Sequence, residues 1–466
     1  MIEAKNEKIN DILTMFILFT VFQPFLNIFD KKFSVILIIM PLILVYEFYK
    51  GGIKYNFKTD LKEPVNQSFI VFIVIILISL IFTADLKNGF IWAIAWINYY
   101  AIFIWIAYNT RKISLEKVIN TYILVAIIVC SLGIVQYLYI QVLGGWVPFV
   151  DYVLKTRVGY VIYGEKLCKL LVEDSGNWFN YTTGIKNFRA VSIFGGPDPN
   201  GMFASYFLIL AVSLKVNKIS NRLINACILV CTVNLLLSFG RAAWISCIIS
   251  LIVINVIQIK KEKKQHVKIN INKNQIYKII LVILAAVAVI CINNYISGDL
   301  SIFNKLKKVF INMFNFKEQS NFGRLQIFVD NFKLFIRKPI LGFGIGSYSI
   351  TYQNIIAKKE SIISYTAHNA YMLFMVECGL LGLIAFIRMY VAPIKIAIGN
   401  LYQKNKFENA FFTFIVASTI GVMIHYLFDY DFNNLRFIPL MLINNGLLVQ
   451  LLRSRRSNNK NEKTDI

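Results

Sequence analysis

Long apolar runs recur along the whole chain and restrict it to one class of fold. Hydrophobic residues make up 57% of the 466 residues, and many runs are long enough, as helices, to cross a hydrocarbon core of about 30 Å. Because lipid offers no hydrogen bonds, each backbone group in such a run must be satisfied within the chain, which selects helices. The sequence therefore predicts an all-α polytopic membrane protein that forms a single integral membrane domain over residues 1–466.

Twelve apolar runs predict about twelve transmembrane helices. The predicted spans are 12–29, 33–49, 67–83, 89–109, 118–143, 199–216, 222–239, 241–259, 277–297, 369–392, 408–428 and 435–452. The second span contains Pro41, and the seventh and eighth meet in a tight turn at Phe239-Gly240-Arg241. The segment before the first span has no small-residue cleavage site, so we expect that span to be retained.

Lysine and arginine predict the orientation of these spans. With both termini in the cytoplasm, the basic segment 260–268 and the basic tail 453–466 face inward, as the positive-inside rule requires. The net charge of +24 is then a topology signal that also attracts anionic lipid. Nucleic acid is excluded as a partner because no basic patch accompanies a recognition fold. Of the seven cysteines, Cys168 alone lies in a predicted outer loop, so we expect no disulfide framework.

Two long loops, 144–198 and 298–367, interrupt the short connections on the outer side. Long ordered loops on a rigid scaffold are where function concentrates. Within the second loop, residues 321–338 predict an amphipathic helix, because Leu325, Phe328 and Phe332 recur at helical spacing. We expect this helix to lie on the outer membrane surface or over the mouth of the bundle.

A glycine-rich stretch, GFGIGSYS (342–349), follows that helix. Its glycine spacing differs from that of dinucleotide- and phosphate-binding loops, and no predicted strand precedes it. The stretch therefore predicts a flexible turn and not a nucleotide site.

Three arginines stand near the predicted outer ends of spans. Arg241 opens the eighth span, Arg324 opens the amphipathic helix, and Arg189 precedes the turn into the sixth span. Guanidinium groups bind phosphate oxygens in a bidentate fork, so the three together would suit a pyrophosphate. A cation this close to hydrocarbon can also anchor to lipid headgroups, and this alternative stays open for Arg241.

His368 is one of only three histidines and the one that falls in an outer loop. Its imidazole could accept a proton from an attacking hydroxyl near neutral pH, or it could simply bond backbone where a helix begins. His425, with Asp429 and Asp431 just beyond it, could line the same cavity or cap its span.

Glu377 is a carboxylate within the tenth predicted span and needs a partner there. Nine residues separate it from His368, which is about 900° of helical rotation, so the two side chains point to opposite faces. We therefore expect Glu377 to bond inside the bundle. No Cys, His or acidic spacing in the sequence is typical of a metal site, so we expect neither a metal nor a cofactor.

Five stretches, in this order, resemble the O-antigen ligase/polymerase superfamily. They are SIFGGPDPNGMFASYF (192–207), LLLSFGRAAWIS (235–246), NFGRLQIFVDNF (321–332), KPILGFGIGSYS (338–349) and AHNAYMLFMVECGLLGL (367–383). The resemblance covers roughly residues 185–390. It implies a GT-C-like architecture with a large extracytoplasmic loop between the ninth and tenth spans.

The resemblance also implies a metal-independent, inverting glycosyltransferase of the bacterial cytoplasmic membrane, with its site on the outer face. Its donor would be a glycan on undecaprenyl pyrophosphate and its acceptor a glycan hydroxyl, with other polysaccharide assembly proteins as further partners. Arg241, Arg324 and His368 would be catalytic: the arginines would hold the pyrophosphate and the histidine would act on the acceptor. Arg189 and Asn200 match polar positions of the family, which could serve a ligand or the structure. Together with Asn369 and His425 they are the candidates for substrate binding.

Three functions remain open at this point. The many Ile, Asn and Lys residues are typical of AT-rich genomes and favour a source without lipid A, hence a polymerase of capsule or exopolysaccharide repeat units. A ligase would instead move the finished glycan to lipid A-core, to a protein or to another carrier. A flippase or transporter would place its ionisable groups near the midplane and often shows repeats, whereas here no repeat is found and the candidate residues gather at the outer ends.

Overall fold

The computed structural model describes residues 2–28, 31–182, 185–264, 319–357, 366–429 and 434–464. The described residues form α-helices joined by short connections, with two small antiparallel hairpins. Seven of the described helices are long and apolar enough to cross a membrane. The predicted class, a helical polytopic membrane protein, is confirmed.

The helices are numbered here in chain order over the described residues. They are α1 Ile2–Phe22, α2 Ile36–Tyr49, α3 Phe57–Asp60, α4 Pro64–Ser79, α5 Leu86–Ala107, α6 Leu115–Tyr137, α7 Trp146–Phe149, α8 Arg157–Tyr163, α9 Glu165–Glu173, α10 Pro197–Val216, α11 Arg222–Leu237, α12 Arg241–Lys264, α13 Gln319–Arg337, α14 Tyr348–Tyr352, α15 Ala370–Gly399, α16 Lys406–His425 and α17 Ile438–Thr464. The strands are β1 Phe25–Ile28, β2 Lys31–Ser34, β3 Phe179–Thr182 and β4 Ile185–Phe188. Strand β1 pairs with β2, and β3 pairs with β4.

Every predicted span that can be compared overlaps a helix of the structure. The seven candidate spans are Pro64–Phe82, Leu86–Ala107, Leu115–Val142, Pro197–Val216, Arg241–Lys261, Ala370–Gly399 and Lys406–His425. Helices α2 and α11 are apolar but shorter, with 14 and 16 residues. The first and twelfth predicted spans overlap α1 and α17, and the ninth, 277–297, lies outside the described residues. The number of twelve spans therefore stays a prediction.

The first predicted span runs too far. It was expected to reach residue 29, but α1 ends at Phe22 and strand β1 begins at Phe25. Between them stands Pro24, which has no backbone N–H to donate and disfavours the helical conformation of the residue before it. The chain therefore turns into a hairpin at this end of the bundle.

The long segment 144–198 is folded into a compact cap. Helices α7 to α9 and the hairpin β3–β4 follow one another along it, and the buried Trp178 packs against Trp146, Tyr163 and Phe188. Its indole N–H also donates to the Gly195 carbonyl at 3.3 Å. The cap thus fixes the chain just before α10.

Contacts between segments that are far apart in sequence identify the two ends of the bundle. At one end, the Ser114 N–H donates to the Asn10 side chain at 2.7 Å, and Arg453 forms an ion pair with Asp60 at 2.9 Å. Gln450 of α17 also donates to the Arg111 carbonyl there. We call this the terminal end, because α1 begins and α17 finishes there; the opposite end is the site end.

Helix α15 is broken near its start by a turn from the segment that follows α13. Gly379 has φ 67° and ψ −165°, which interrupts the helix. The segment 339–347 fills this break: Phe343 N–H donates to the Val376 carbonyl at 3.0 Å and Gly344 N–H to the Glu377 carbonyl at 2.7 Å. In return, Leu380 N–H donates to the Pro339 carbonyl at 2.8 Å. The turn was correctly predicted, but it is packed into the bundle and not loosely held.

Candidate functional site

Five elements meet at the site end and bring together side chains that are far apart in sequence. They are the start of α10, the turn between α11 and α12, the first half of α13, the start of α15 and the end of α16. The sequence GGPDPN explains the first of these locally. Pro197 occupies the first turn of α10, where its missing N–H is harmless, and Asp198 follows at the positive end of the helix dipole.

Asp198 anchors Arg189. The Arg189 Nη2 atom lies 2.9 Å from the Asp198 Oδ1 atom, and both side chains are mostly buried. The Nε–H of the same guanidinium donates to the Ser238 carbonyl at 3.1 Å. Arg189 is therefore held between the start of α10 and the turn that leads into α12.

The turn before Arg241 is tight and lies beside the same carboxylate. Helix α11 ends at Leu237 and α12 begins at Arg241, with Phe239 in the left-handed region at φ 51°. A Cβ at Gly240 would lie only 3.4 Å from the Asp198 Oδ1 atom. Arg241, the next residue, is half-buried at the start of α12, so its position is close to the Arg189–Asp198 pair.

Arg324 approaches from the other side on α13. Its positive charge interacts electrostatically with both Asp198 and His368. Helix α13 is fixed in place by Tyr348, whose hydroxyl donates to the Asn331 Oδ1 atom at 2.6 Å. The Asn331 amide also donates to the Ala367 carbonyl at 3.4 Å, one residue before His368. The structure therefore brings Arg324 and His368 to one site.

His368 adopts a backbone conformation that is uncommon outside glycine, with φ 48°. Such a conformation costs of the order of 1 kcal/mol or more and recurs at functional sites. The Asn369 side chain caps α15, accepting from the Met372 N–H at 3.0 Å, and donates to the Leu427 carbonyl at 2.9 Å. The imidazole Nε2 atom shares a hydrogen bond of 2.8 Å with the Thr366 hydroxyl.

The surroundings of His368 favour its neutral form. Burial of the ring is the largest influence and lowers the pKa of His368 below its usual value; Arg324 acts in the same direction. The carboxylates of Asp429 and Asp198 oppose this shift. The imidazole is therefore uncharged at neutral pH but has two anions nearby when it gains a proton.

The end of α16 brings His425 to the same site. His425 is fully buried in the last turn, and its charge state acts on Asp198. The His425 carbonyl accepts from the Asp429 N–H at 3.1 Å, so Asp429 stays one turn beyond it. Of the two carboxylates expected near His425, Asp431 lies outside the described residues.

Two other predicted residues bond inside the bundle. The fully buried Asn200 donates to the Ala190 carbonyl at 2.8 Å and accepts from the Asn234 amide at 3.0 Å, so its amide packs between α10 and α11. Glu377 accepts from the Tyr348 N–H at 3.0 Å. Its expected bond within the bundle is confirmed.

Asp198 is the residue at this site whose importance sequence reasoning missed. The carboxylate was visible in the turn GGPDPN, but its partners Arg189 and Arg324 come from other segments. An acidic residue in the first turn of an otherwise apolar span is the signal that could have identified it. Within the described residues, no group of three or more His, Cys, Asp or Glu side chains is arranged to hold a metal ion.

In the comparisons with known proteins, one part of the chain matches a protein family. The chain has no match among curated proteins. Residues 226–387 match the model of the O-antigen ligase family, and this segment contains Arg241, Arg324 and His368. The match indicates an activity of the O-antigen ligase or polymerase type in a multi-pass bacterial membrane protein. It confirms the resemblance noted in the sequence and assigns this segment to the O-antigen ligase/polymerase superfamily.

Proposed function

We propose that the protein is an inverting glycosyltransferase that polymerises lipid-linked oligosaccharide repeat units. The donor is a glycan on undecaprenyl pyrophosphate, and the site end faces the outer side of the cytoplasmic membrane. The observation that carries this proposal is the convergence of Arg324, His368 and Asp198, together with the neighbouring Arg189 and Arg241, at that end. Arginines next to a neutral histidine suit a reaction in which a pyrophosphate leaves and a hydroxyl attacks.

The proposed reaction is a single displacement at the anomeric carbon. The acceptor hydroxyl attacks this carbon from the face opposite the pyrophosphate, so a new C–O bond forms as the bond to the pyrophosphate oxygen breaks. His368 takes the hydroxyl proton, and the carboxylates of Asp429 and Asp198 stabilise the imidazolium that results. Arg324 and Arg241 stabilise the negative charge that gathers on the leaving pyrophosphate. Arg189, Asn369 and His425 are assigned to substrate binding, whereas the buried Asn200 holds α10 to α11.

Polymerase and ligase differ only in the acceptor. The residue composition, rich in Ile, Asn and Lys, favours a source without lipid A and therefore a polymerase of capsule or exopolysaccharide. The family name attached to residues 226–387 keeps ligase activity as the second candidate.

Purified protein in lipid nanodiscs, given lipid-linked repeat units, tests both the reaction and the residues. A ladder of glycan lengths is expected from a polymerase, and a single transfer to an added acceptor from a ligase. His368→Ala is expected to lower kcat by roughly 10²–10⁴-fold, the usual contribution of a general base, with donor binding retained. Arg324→Gln should weaken both donor binding and transfer.

Arg337→Gln is the matched control, because Arg337 lies on the same helix, α13, but is exposed. It should transfer glycan at close to the unsubstituted rate. Full transfer by both His368→Ala and Arg324→Gln would overturn the assignment of the site, and absence of transfer by the unsubstituted protein would overturn the proposed reaction.

A further inference from the structure

Helix α13 has three lengthwise sectors when its residues are projected at about 100° per residue. The first sector is buried against the protein and contains Asp330, Asn331 and Leu334. The second sector is exposed and polar and contains Gln326, Lys333 and Arg337. The third is exposed and apolar and consists of Leu325, Phe328, Val329, Phe332 and Ile336.

The buried sector is unexpectedly polar. The Tyr352 hydroxyl donates to the Asp330 Oδ2 atom at 3.0 Å, and the Tyr348 hydroxyl donates to Asn331 at 2.6 Å. The large apolar side chains face away from the protein, with exposed fractions from 44% at Phe328 to 60% at Ile336. A helix between protein and water carries the opposite pattern, with its apolar stripe against the core.

The exposed apolar sector continues onto the surface of a membrane-spanning helix. Just beyond α13, the Pro339 and Ile340 carbonyls accept from the Leu380 and Leu381 N–H groups of α15 at 2.8 and 3.5 Å. The side chains of Ile340, Leu380 and Leu381 are all exposed. The first part of α15, residues 370–378, is about 13 Å long, and Leu380 follows it just beyond the break at Gly379. The end of α13 therefore reaches the apolar surface of α15 well below its start.

We propose that α13 is inserted obliquely into the lipid leaflet on the site side, with its apolar sector against phospholipid acyl chains. Its first half, which carries Arg324, lies at headgroup depth, and its second half passes Ala367 at Asn331 and descends beside α15. Lys333 and Arg337, in the exposed polar sector, can extend their cationic groups to lipid phosphates. The continuity with α15 selects lipid chains as the occupant over water or a second copy of the chain.

One consequence rests on the proposed function. Arg324 precedes Leu325, the first residue of the apolar sector, and is itself half-buried on the side that faces His368. A helix held by the leaflet keeps this guanidinium at the depth of lipid headgroups. That is the depth at which the pyrophosphate of a membrane-bound donor lies.

Spin-label accessibility tests the insertion without any use of the transfer reaction. Single cysteines replace Leu325, Ile336, Gln326 or Arg337 in the full chain, which is labelled with a nitroxide and reconstituted in phosphatidylcholine–phosphatidylglycerol vesicles. The unsubstituted protein serves as the blank, because the six described cysteines are buried. Collisions of each label with oxygen, which concentrates in lipid, are compared with collisions with a water-soluble nickel chelate.

Labels at Leu325→Cys and Ile336→Cys are expected to collide preferentially with oxygen, and more so at Ile336→Cys, which lies deeper. The label at Gln326→Cys should collide preferentially with nickel, and the label at Arg337→Cys should collide with nickel more often than the label at the neighbouring Ile336→Cys, because it lies in the polar sector. Preference for nickel at all four positions would mean that water surrounds the helix and would overturn the proposal. Protection of the two apolar positions from both reagents, with spin–spin broadening, would overturn it in favour of a second copy of the chain.

Discussion

Burial and three neighbouring charges shift the pKa of the His368 imidazole. Burial and Arg324 lower the pKa of His368, whereas Asp429 and Asp198 raise it, and the net direction is downward. A base must be neutral to accept a proton, so this environment keeps the ring competent in mildly acidic solution. The same carboxylates stabilise the positive charge of the ring once it has taken the proton of the acceptor hydroxyl during glycosyl transfer.

The pH dependence of kcat/KM should report these influences. Activity is expected to fall as pH decreases through the pKa of His368, with the acid limb below 6.5, the usual histidine value. Asp429→Asn removes a charge that raises this pKa, so the limb should move to lower pH. Arg324→Gln removes a charge that lowers it, so the limb should move to higher pH. Two shifts in the same direction would contradict the arrangement of charges around His368.

The sequence indicates some residues of the site but not how they pair. Rarity made His368 visible, and guanidinium chemistry made Arg324 visible. Asp198 was missed because its importance comes from Arg189 and Arg324, and only the folded chain brings those residues to it. Conversely, the resemblance makes Asn200 a candidate for substrate binding, but its amide is used in a buried bond with Asn234.

At the scale of elements, the break in α15 links the site to the bundle. The short first part of α15, which follows His368, ends at Gly379, and the turn 342–346 supplies hydrogen bonds across the break. Gly344 has φ 96° within this turn, and a Cβ there would overlap the Thr83 backbone beside α5. The glycine is therefore required both by its conformation and by the close approach of a neighbouring segment.

Gly344→Ala should destabilise the protein strongly. Overpacking of a close contact costs about 1–3 kcal/mol, and a left-handed conformation adds about 1–2 kcal/mol for a residue with a Cβ. We expect a clearly lower apparent Tm in detergent and a loss of monodisperse protein. Gly323→Ala in α13 is the matched control: its Cβ would meet no atom within 4 Å, so its Tm should stay the same or rise slightly. Equal Tm values for the two variants would argue against a packed turn.

Periodicity predicts the existence of elements better than their ends. The apolar runs located α5, α6, α10 and α12 within a few residues, because a membrane span needs a long apolar stretch whatever its neighbours are. The end of α1 was missed because hydropathy continues past Pro24, although the helix does not. The sequence predicts a flexible turn at 342–346. Its packing could not be predicted, because the residues that it contacts, Thr83 and Glu377, are remote from it in sequence.

At the scale of the whole molecule, the predicted alternation of inner and outer loops agrees with the contacts between segments that are far apart in sequence. The loops predicted to be cytoplasmic meet at the terminal end, where Arg453 pairs with Asp60 and Arg455 with Glu408. The candidate site lies at the opposite end, where Asn369 bonds to the carbonyl of Leu427. Which end faces the cytoplasm is a prediction from lysine and arginine bias alone, because contacts within a bundle are the same in either orientation.

Cysteine accessibility in intact cells decides that orientation. Lys87, in the first turn of α5, is exposed at the site end, and Lys404, between α15 and α16, is exposed at the terminal end. A membrane-impermeant thiol reagent should label Lys87→Cys in intact cells, and it should label Lys404→Cys only after the membrane is permeabilised. The unsubstituted protein gives the background of its own cysteines. The reverse pattern would place Arg324 and His368 in the cytoplasm and exclude a reaction on the outer face, whatever the activity of the purified protein.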